Sequence, residues 1–467
     1  MVPEVIYFAV QELLMSATTN TEEGKPENMV DDISDTKVQA SAEAVDMNKL
    51  AALKAKSQAK QQESKMASKI VSKKERSLAL GILGSGQAGS RLAEAFYKQG
   101  YDACVVNTAM QDLKFIDIPD SNKLLLEYGL GGAAKELEIG KAAAEAHRGE
   151  ILQLVNDKLA DSQVNVLCLS LGGGSGAGSC ETLIDILTSL GKPLVVMTVL
   201  PTDTEDAQTK SNALETLSKL SKLTQSKKVN NLIVVDNAKI SAIYADVGRM
   251  EFYKTANKAI VEPIDIFNTL SSMPSDTKPL DPMEFSKLFL DGDGLTVYGE
   301  FSVTDYEGEM NIAEAVVNNL SNNLLAEGFD LKQSKYVGYI VTGSKKVWDK
   351  VKEASIEYAN HMVNDLCGNP VGVFKGMYVV ESDEDILKVY SMFSGLGLPA
   401  SRVEQLKNDT KELKTKVKTK DDGRNLTLHL DTGTNETVSA AQKVKDKIAA
   451  KSSSFGKFVT GITDRRK

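Results

Sequence analysis

The chain is poor in the residues that build metal clusters and disulfide scaffolds. Its 467 residues include only four cysteines, Cys104, Cys168, Cys180 and Cys367, and three histidines. The cysteines are too scattered for a zinc cluster, and in a chain of this length they indicate reduced thiols and a cytoplasmic location. Three histidines are too few for a histidine-rich metal site, and no metal ligands can be named. No run of 18 or more apolar residues occurs, so membrane insertion is not expected. The apolar patch Val5–Val10 is preceded by Glu4 and followed by Glu12 rather than by a basic flank, which is unlike a secretory leader. A net charge of −9 disfavours nucleic-acid binding by the body as a whole. What is present, 42% hydrophobic residues over this length, is enough for a large core in three domain-sized units or fewer.

Charge is blocked along the chain. Residues 1–47 hold ten acids against two lysines, and residues 48–76 hold nine Lys/Arg against two glutamates. The first block has too few large apolar residues to offset chain entropy, and the second is a charged spacer or a solvated helix. Residues 403–467 carry fifteen Lys/Arg against nine acids, a basic tail. These ends are expected to be disordered, with the folded body between them.

The body opens on a strand-to-helix switch. An apolar run, 78–83, leads into Gly84-Ser85-Gly86-Gln87-Ala88-Gly89, and a helical pattern begins at Ser90. Backbone N–H groups and the dipole at such a helix start make an anion site, and glycine lets a phosphate approach closely. The dinucleotide fingerprint would also need an acid at the end of the next strand, but that strand ends in Asn107-Thr108. A second cluster follows the apolar run 164–171: Gly172-Gly173-Gly174-Ser175-Gly176-Ala177-Gly178, read as a loop before a helix over 181–190. Five glycines in seven positions exceed the needs of one turn, and they suit consecutive N–H donors around a di- or triphosphate. Neither loop has the P-loop lysine.

Together these residues resemble the tubulin/FtsZ superfamily of polymerising GTPases. Gly86-Gln87-Ala88-Gly89 looks like tubulin's first nucleotide loop, and Gly172 to Gly178 looks like the GGGTGSG signature with Ser for Thr and Ala for Ser. Further matches keep the family's order: Asn107-Thr108, Gly129-Leu130-Gly131-Gly132-Ala133-Ala134, Pro201-Thr202-Asp203-Thr204-Glu205, and Val235-Asp236-Asn237. The resemblance implies GTP/GDP binding with Mg2+. Gly86, Gln87, Ala88, Ser90 and Asn107 would lie in the first two loops and Gly131, Gly132 and Ala133 in the third, which faces the terminal phosphate. Gly173, Gly174, Ser175 and Gly176 would form the glycine-rich loop, Glu205 would bind ribose and Asn237 would read guanine. Tyr253 and Asn257 are four apart in a helix expected over 248–270, so they share a face and can stack on and hydrogen-bond to a purine. The alternative for this pair is an ordinary amphipathic helix with a core tyrosine.

Pro279-Leu280-Asp281-Pro282-Met283-Glu284-Phe285 is similar to the family's catalytic loop, with Pro279-Leu280 where Asn-Val is common. A capping box formed by Asp281 and Glu284 explains the pair on local grounds. In the family these acids project into the pocket of the next subunit and polarise the attacking water, so hydrolysis requires a head-to-tail homopolymer.

The expected fold is α/β: a Rossmann-like parallel-sheet GTP-binding domain (77–247), a long central helix (248–272) and a smaller α+β activation domain (273–402) with the catalytic loop. In the smaller domain, strands are expected over 296–303, 336–342, 371–380 and 399–403, and helices over 311–325, 344–366 and 382–394. The basic tail favours the phage and plasmid tubulins, the TubZ and PhuZ group, over eukaryotic tubulins with acidic tails. Three readings stay open: a cytomotive GTPase that positions DNA or phage cargo, with the tail contacting DNA or an adaptor; a division-ring GTPase; and a non-polymerising regulator.

Overall fold

The computed structural model describes residues 74–308, 310–322 and 328–422. The acidic block, nearly all of the basic block after it and the tail beyond Asp422 lie outside the described residues, and so does their expected disorder.

The first half alternates strand and helix. Strand β1 (Leu80–Ser85) feeds α1 (Gly86–Lys98), β2 (Asp102–Asn107) feeds α2 (Met110–Lys114), and β3 (Lys123–Leu125) is followed by α3 (Leu137–Ala146) and α4 (Arg148–Lys158). Next come β4 (Val164–Ser170), α5 (Gly174–Ser189), β5 (Leu194–Leu200), α6 (Ala207–Gln225), β6 (Asn231–Asp236) and α7 (Asn237–Ile243). These strands pair in parallel in the order β3-β2-β1-β4-β5-β6. Every residue of β1, β5 and β6 is buried, which is why they read as unbroken apolar runs rather than as alternation. The order reverses at β1 and β4, which lie side by side from Leu80↔Val164 to Ser85↔Leu169. Loops leaving the carboxyl ends of two such strands diverge and leave a crevice. Both glycine clusters leave from this point.

Helix α8 (Arg249–Leu270) runs on to α9 (Pro282–Leu290), β7 (Leu295–Val303), α10 (Asn311–Asn322), β8 (Tyr336–Gly343), α11 (Lys345–Trp348) and α12 (Glu353–Leu366). Strands β9 (Gly372–Val379) and β10 (Leu387–Leu396) precede the last described helix, α13 (Ala400–Asp422). The expected division into a parallel half, a central helix and a smaller mixed half is the architecture observed. The two halves also share a sheet. Strand β7 pairs with β6 through Leu232↔Leu295 and Ile233↔Thr296, and the order continues β7-β10-β8-β9, giving ten strands.

Four expectations fail. The helix expected over 382–394 is strand β10, antiparallel to β7 and β8. Ile386, just before the strand, and Val389, Tyr390 and Phe393 within it mimic a helical stripe, but the strand is buried on both faces, Ser391 and Ser394 included, so its periodicity is uninformative. The strand expected over 399–403 is the start of α13, so the tail begins as helix. Val403 N–H donates to the Pro399 carbonyl at 3.0 Å, and Arg402, Leu406 and Thr410 form its buried stripe against α6. The helix expected over 344–366 breaks between Trp348 and Glu353. Finally, Arg76, assigned to the N-terminal extension, belongs to the body. Its guanidinium pairs with Asp265 of α8 at 2.9 Å and stacks on Tyr101 at 3.9 Å.

All four cysteines are free and buried. Burial pushes the thiols of Cys104 and Cys180 up to about 12 and that of Cys367 to about 11, with Cys168 raised further. Thiolate is therefore scarce at neutral pH. With an aromatic disulfide reagent at pH 8, the native protein should release almost no thiol signal within minutes, and all four should react after denaturation. Rapid release by the native protein would contradict this packing.

Candidate functional site

The two glycine clusters meet backbone to backbone at Gly86 and Gly176, beside a buried Ser85–Ser179 hydroxyl pair at 2.8 Å. A Cβ on Gly89 would sit 2.1 Å from the Cys168 carbonyl oxygen, so α1 lies directly on β4. Gly86 has φ +68, and a Cβ there would sit 3.0 Å from the Gly176 nitrogen. The second cluster is mostly helix rather than loop: α5 begins at Gly174, not at residue 181. The later glycines serve packing. A Cβ on Gly178 would be 2.3 Å from the Leu137 carbonyl oxygen, and one on Gly140 would be 2.1 Å from that of Gly174. Helices α3 and α5 thus cross on glycine, and the N-termini of α1 and α5 both open on one cleft.

That cleft has a volume of about 430 Å³. Gly86, Gln87 and Ala88 line one wall, Gly173, Gly174, Ser175 and Gly176 the floor, and Gly132 and Ala133 the outer lip. Glu205, Asn237, Tyr253 and Asn257 close the far end. The structure therefore brings together all but three of the nucleotide-contact candidates. Ser90 is fully buried in α1, behind the wall. Asn107 is also buried; its amide donates to Asp112 at 3.2 Å, and its oxygen accepts from the Ala109 N–H. Gly131 donates to the Tyr128 carbonyl and shapes the third loop from outside the lining.

The third loop is held in an uncommon backbone conformation. Gly129, Gly131, Gly132, Ala134 and Lys135 all have positive φ. Such a run persists only where surroundings enforce it. Gly132 N–H donates to the Thr108 carbonyl at 2.8 Å, and Asn212 donates to the Lys135 carbonyl at 2.7 Å and to that of Gly172 at 3.2 Å. Lys135 pairs with Asp206 at 2.5 Å, and that bond, with the Thr209 N–H, holds the Asp206 carboxyl down at about 2. At the far end, Tyr253 carries the Arg91 guanidinium 4.2 Å from its ring centre and packs edge-on against Phe252. The alternative of a core tyrosine is excluded, because Tyr253 is exposed at the cleft.

Sequence reading missed several lining residues. Asp112, whose carboxylate accepts from Gln87 at 3.2 Å, sits in a short helix with no pattern around it. Arg91 and Lys135 are ordinary surface residue types. Arg402 lies behind the lining and is 166 residues from its partner Asp236. Only the fold brings such residues together.

Asp281 and Glu284 do not line the cleft. They form a complete capping box: Asp281 accepts from the Met283 N–H at 2.7 Å, and Glu284 accepts from the Asp281 N–H at 3.0 Å. From Asn257 the helix α8 runs about 20 Å to its end at Leu270 before the loop begins. Phe267, Phe285 and Phe289 stack at 6.2 and 5.5 Å and fix α9 to α8, so the acids are rigidly held away from the pocket of their own subunit.

Two family models match in tandem. Residues 55–245 match the tubulin/FtsZ family GTPase domain, and residues 266–407 match the TubZ-like C-terminal domain of tubulin/FtsZ-like proteins. The chain belongs to the tubulin/FtsZ superfamily. Its C-terminal domain places it on the TubZ-like side. It is 24% identical to the tubulin-like protein TubZ of Bacillus cereus over 378 residues, covering 74% of this chain and 86% of that protein. It is 25% identical to the tubulin-like protein CetZ of Pyrococcus abyssi over 323 residues, covering 68% and 85%. A GTPγS-form protofilament of Bacillus thuringiensis serovar israelensis TubZ shares the fold at a TM-score of 0.67 and 19% identity, covering 75% of this chain and 95% of that one.

Position 173 separates site from scaffold. Gly173 has extended φ/ψ (−82, 154), and a Cβ there meets only the Ser170 hydroxyl, at 3.1 Å. Gly173→Val should fold with a stability change of about 1 kcal/mol or less, yet lose nucleotide binding because the side chain fills the cleft. Gly178→Ala should instead cost about 1–3 kcal/mol through the α3–α5 crossing. Thermal melts with nucleotide titrations distinguish the two, and normal binding by Gly173→Val would remove the phosphate reading of this loop.

Proposed function

We propose that the cleft binds GTP and hydrolyses it across a contact between subunits, and that the chain assembles head to tail into filaments that position or segregate DNA or phage cargo. The observation that carries the reading is the pairing of a glycine-lined anion cradle with an Asn237–Tyr253–Asn257 end in one pocket. The α1 and α5 N-termini supply N–H donors for phosphate oxygens, and Glu205 is an acceptor for sugar hydroxyls. Asn237 and Asn257 each offer a donor and an acceptor to a purine edge, with Tyr253 as the stacking surface.

Among the described residues no group of three or more His, Cys, Asp or Glu forms a cage for a metal. A magnesium ion that arrives with a triphosphate needs less: phosphates and water supply most ligands, and one or two protein oxygens complete them. Asp112 and Ser175 on the cleft wall fit that role. Bound there, the ion would neutralise charge on the transferred phosphoryl group.

Hydrolysis then needs an oriented water, and the sequestered acids supply it from outside. In the capping box each carboxylate uses one oxygen for a backbone N–H, leaving the other for a water in a neighbouring subunit's pocket. Exposed apolar side chains support assembly at both ends. Leu130 of the third loop and Met250 at the start of α8 face solvent on the pocket side, and Met283 does so beside the acids. The TubZ-like C-terminal domain favours the cargo-moving reading over the division ring. Beyond Asp422 the tail carries nine Lys/Arg against four acids, a composition suited to DNA phosphates or an acidic adaptor.

Asp281→Ala and Glu284→Ala should bind GTP as the parent does, pellet at least as much polymer with GTP, and hydrolyse it about 100-fold more slowly or worse. If the acids act only as a helix cap, the variants lose about 1 kcal/mol of stability and keep their activity. In competition binding, ATP should displace GTP at least about 100-fold less well, because mismatched polar edges stay unpaired. Equal displacement would remove the guanine assignment of Asn237 and Asn257. The tail is tested by truncation after Asp422, which spares α13: DNA association that falls with salt should vanish while GTPase activity stays.

A further inference from the structure

We propose that Arg402 is a positioning residue of the nucleotide pocket, acting on sugar recognition through the loop that carries Glu205. The inference rests on the reading of the cleft as a GTP site and adds to it a residue from the far C-terminal helix.

Arg402 is 4% exposed and projects from the first turn of α13. Its guanidinium lies 2.8 Å from Asp203, donates to the Pro201 carbonyl at 3.0 Å, and meets both oxygens of Asp236 at 2.8 and 3.1 Å. None of Arg402, Asp203 and Asp236 lines the cleft, but their chain neighbours do. Pro201 and Glu205 flank Asp203, and Asn237 follows Asp236 directly. One buried cation therefore ties the loop after β5 to the end of β6, the two segments that present the sugar-side acid and a base-side amide.

Within that loop the bonds around Glu205 itself are weak. Glu205 and Thr202 are joined by two long hydrogen bonds of 3.4 Å. Two firmer tethers lie nearby: Asp206, next to Glu205, which pairs with Lys135 and accepts from the Thr209 N–H at 2.8 Å, and the buried Lys210, which donates to the Asp203 carbonyl at 2.8 Å and pairs at 2.8 Å with Asp409, two turns further along α13. The same helix thus reaches the loop twice. Burial holds the Asp236 carboxyl above its ordinary range while Arg402 pulls it back down, so without the arginine this end of β6 loses its counter-charge as well as its tie. A carboxylate on a loosely held loop discriminates poorly between sugars, because ordering the loop on binding consumes what the contact supplies.

The test measures dissociation constants for GTP and 2′,3′-dideoxy-GTP, with melting temperatures, on the full chain at concentrations below assembly. The parent should favour GTP by about tenfold, the worth of a charged hydrogen bond. In Arg402→Ala that preference should fall below about twofold, and in Arg402→Lys it should be partly kept. Leu406→Ala, which loosens α13 by packing alone, should lower the melting temperature and keep the preference. Arg402→Met with Asp236→Asn removes both buried charges, and it should recover stability without recovering the preference. A folded Arg402 variant with the parent's preference would overturn the proposal, as would its return in the double variant, which would reduce the arginine to neutralising Asp236. A parent that binds GTP without any sugar preference would overturn it too while leaving the GTP reading intact, whereas a parent that binds no GTP would end both.

Discussion

The constraint on which the rest depends is the direct seating of backbone on backbone at the β1–β4 reversal. Gly89 against the Cys168 carbonyl and Gly140 against Gly174 leave no room for a Cβ, and Gly86 against Gly176 leaves only a tight 3.0 Å. Because α1 and α5 come that close, the N–H groups at their starts point into the same cleft, and a polyanion can be held with no P-loop lysine. The buried parallel strands beneath make the platform rigid. Of the cations nearby, Lys135 pairs with Asp206, Arg402 pairs with Asp203 and Asp236, and Arg91 lies over the Tyr253 ring at the far end of the cleft. In the proposed mode of binding, dipoles and oriented amides at the two helix starts carry most of the contact to phosphate, and they require no charge to be desolvated for its own sake.

A second consequence follows from α8. Its first turns carry Tyr253 and Asn257 into the pocket, and its last turn carries Phe267 into the stack that fixes α9. In the proposed reading, one helix thus determines both where a base would sit and where Asp281 and Glu284 sit, at its two ends. In the proposed mechanism this separation prevents a lone subunit from hydrolysing its own nucleotide. The shared sheet, joined at β6 and β7, is a second connection between the two halves.

Legibility tracked how local each signal is. The glycine runs, the Tyr253–Asn257 spacing and the Asp281–Glu284 box are sequence-adjacent, and each could be read from the chain. The parallel half was equally plain, since its buried strands alternate with helices. Where the chain misled, a strand imitated a helix, as β10 did with Val389, Tyr390 and Phe393 after Ile386, or a polar helix looked like a tail, as α13 did with only a thin buried stripe. Gly174 and Gly178 read as loop in the sequence because their packing partners, Ala133, Leu137 and Gly140, are about forty residues away. Asp112 and Arg402 were invisible for the same reason, since each gains meaning only from groups that the fold brings to it.

The central claim is that a complete hydrolytic site exists only where two subunits meet. Its most direct measure is the GTPase rate per subunit over a dilution series that spans the onset of sedimentable polymer. The account predicts a rate near zero below that threshold and a steep rise across it, tracking the polymer. A constant rate per subunit from the most dilute sample upward would mean that each subunit carries its own complete site, and it would contradict the account.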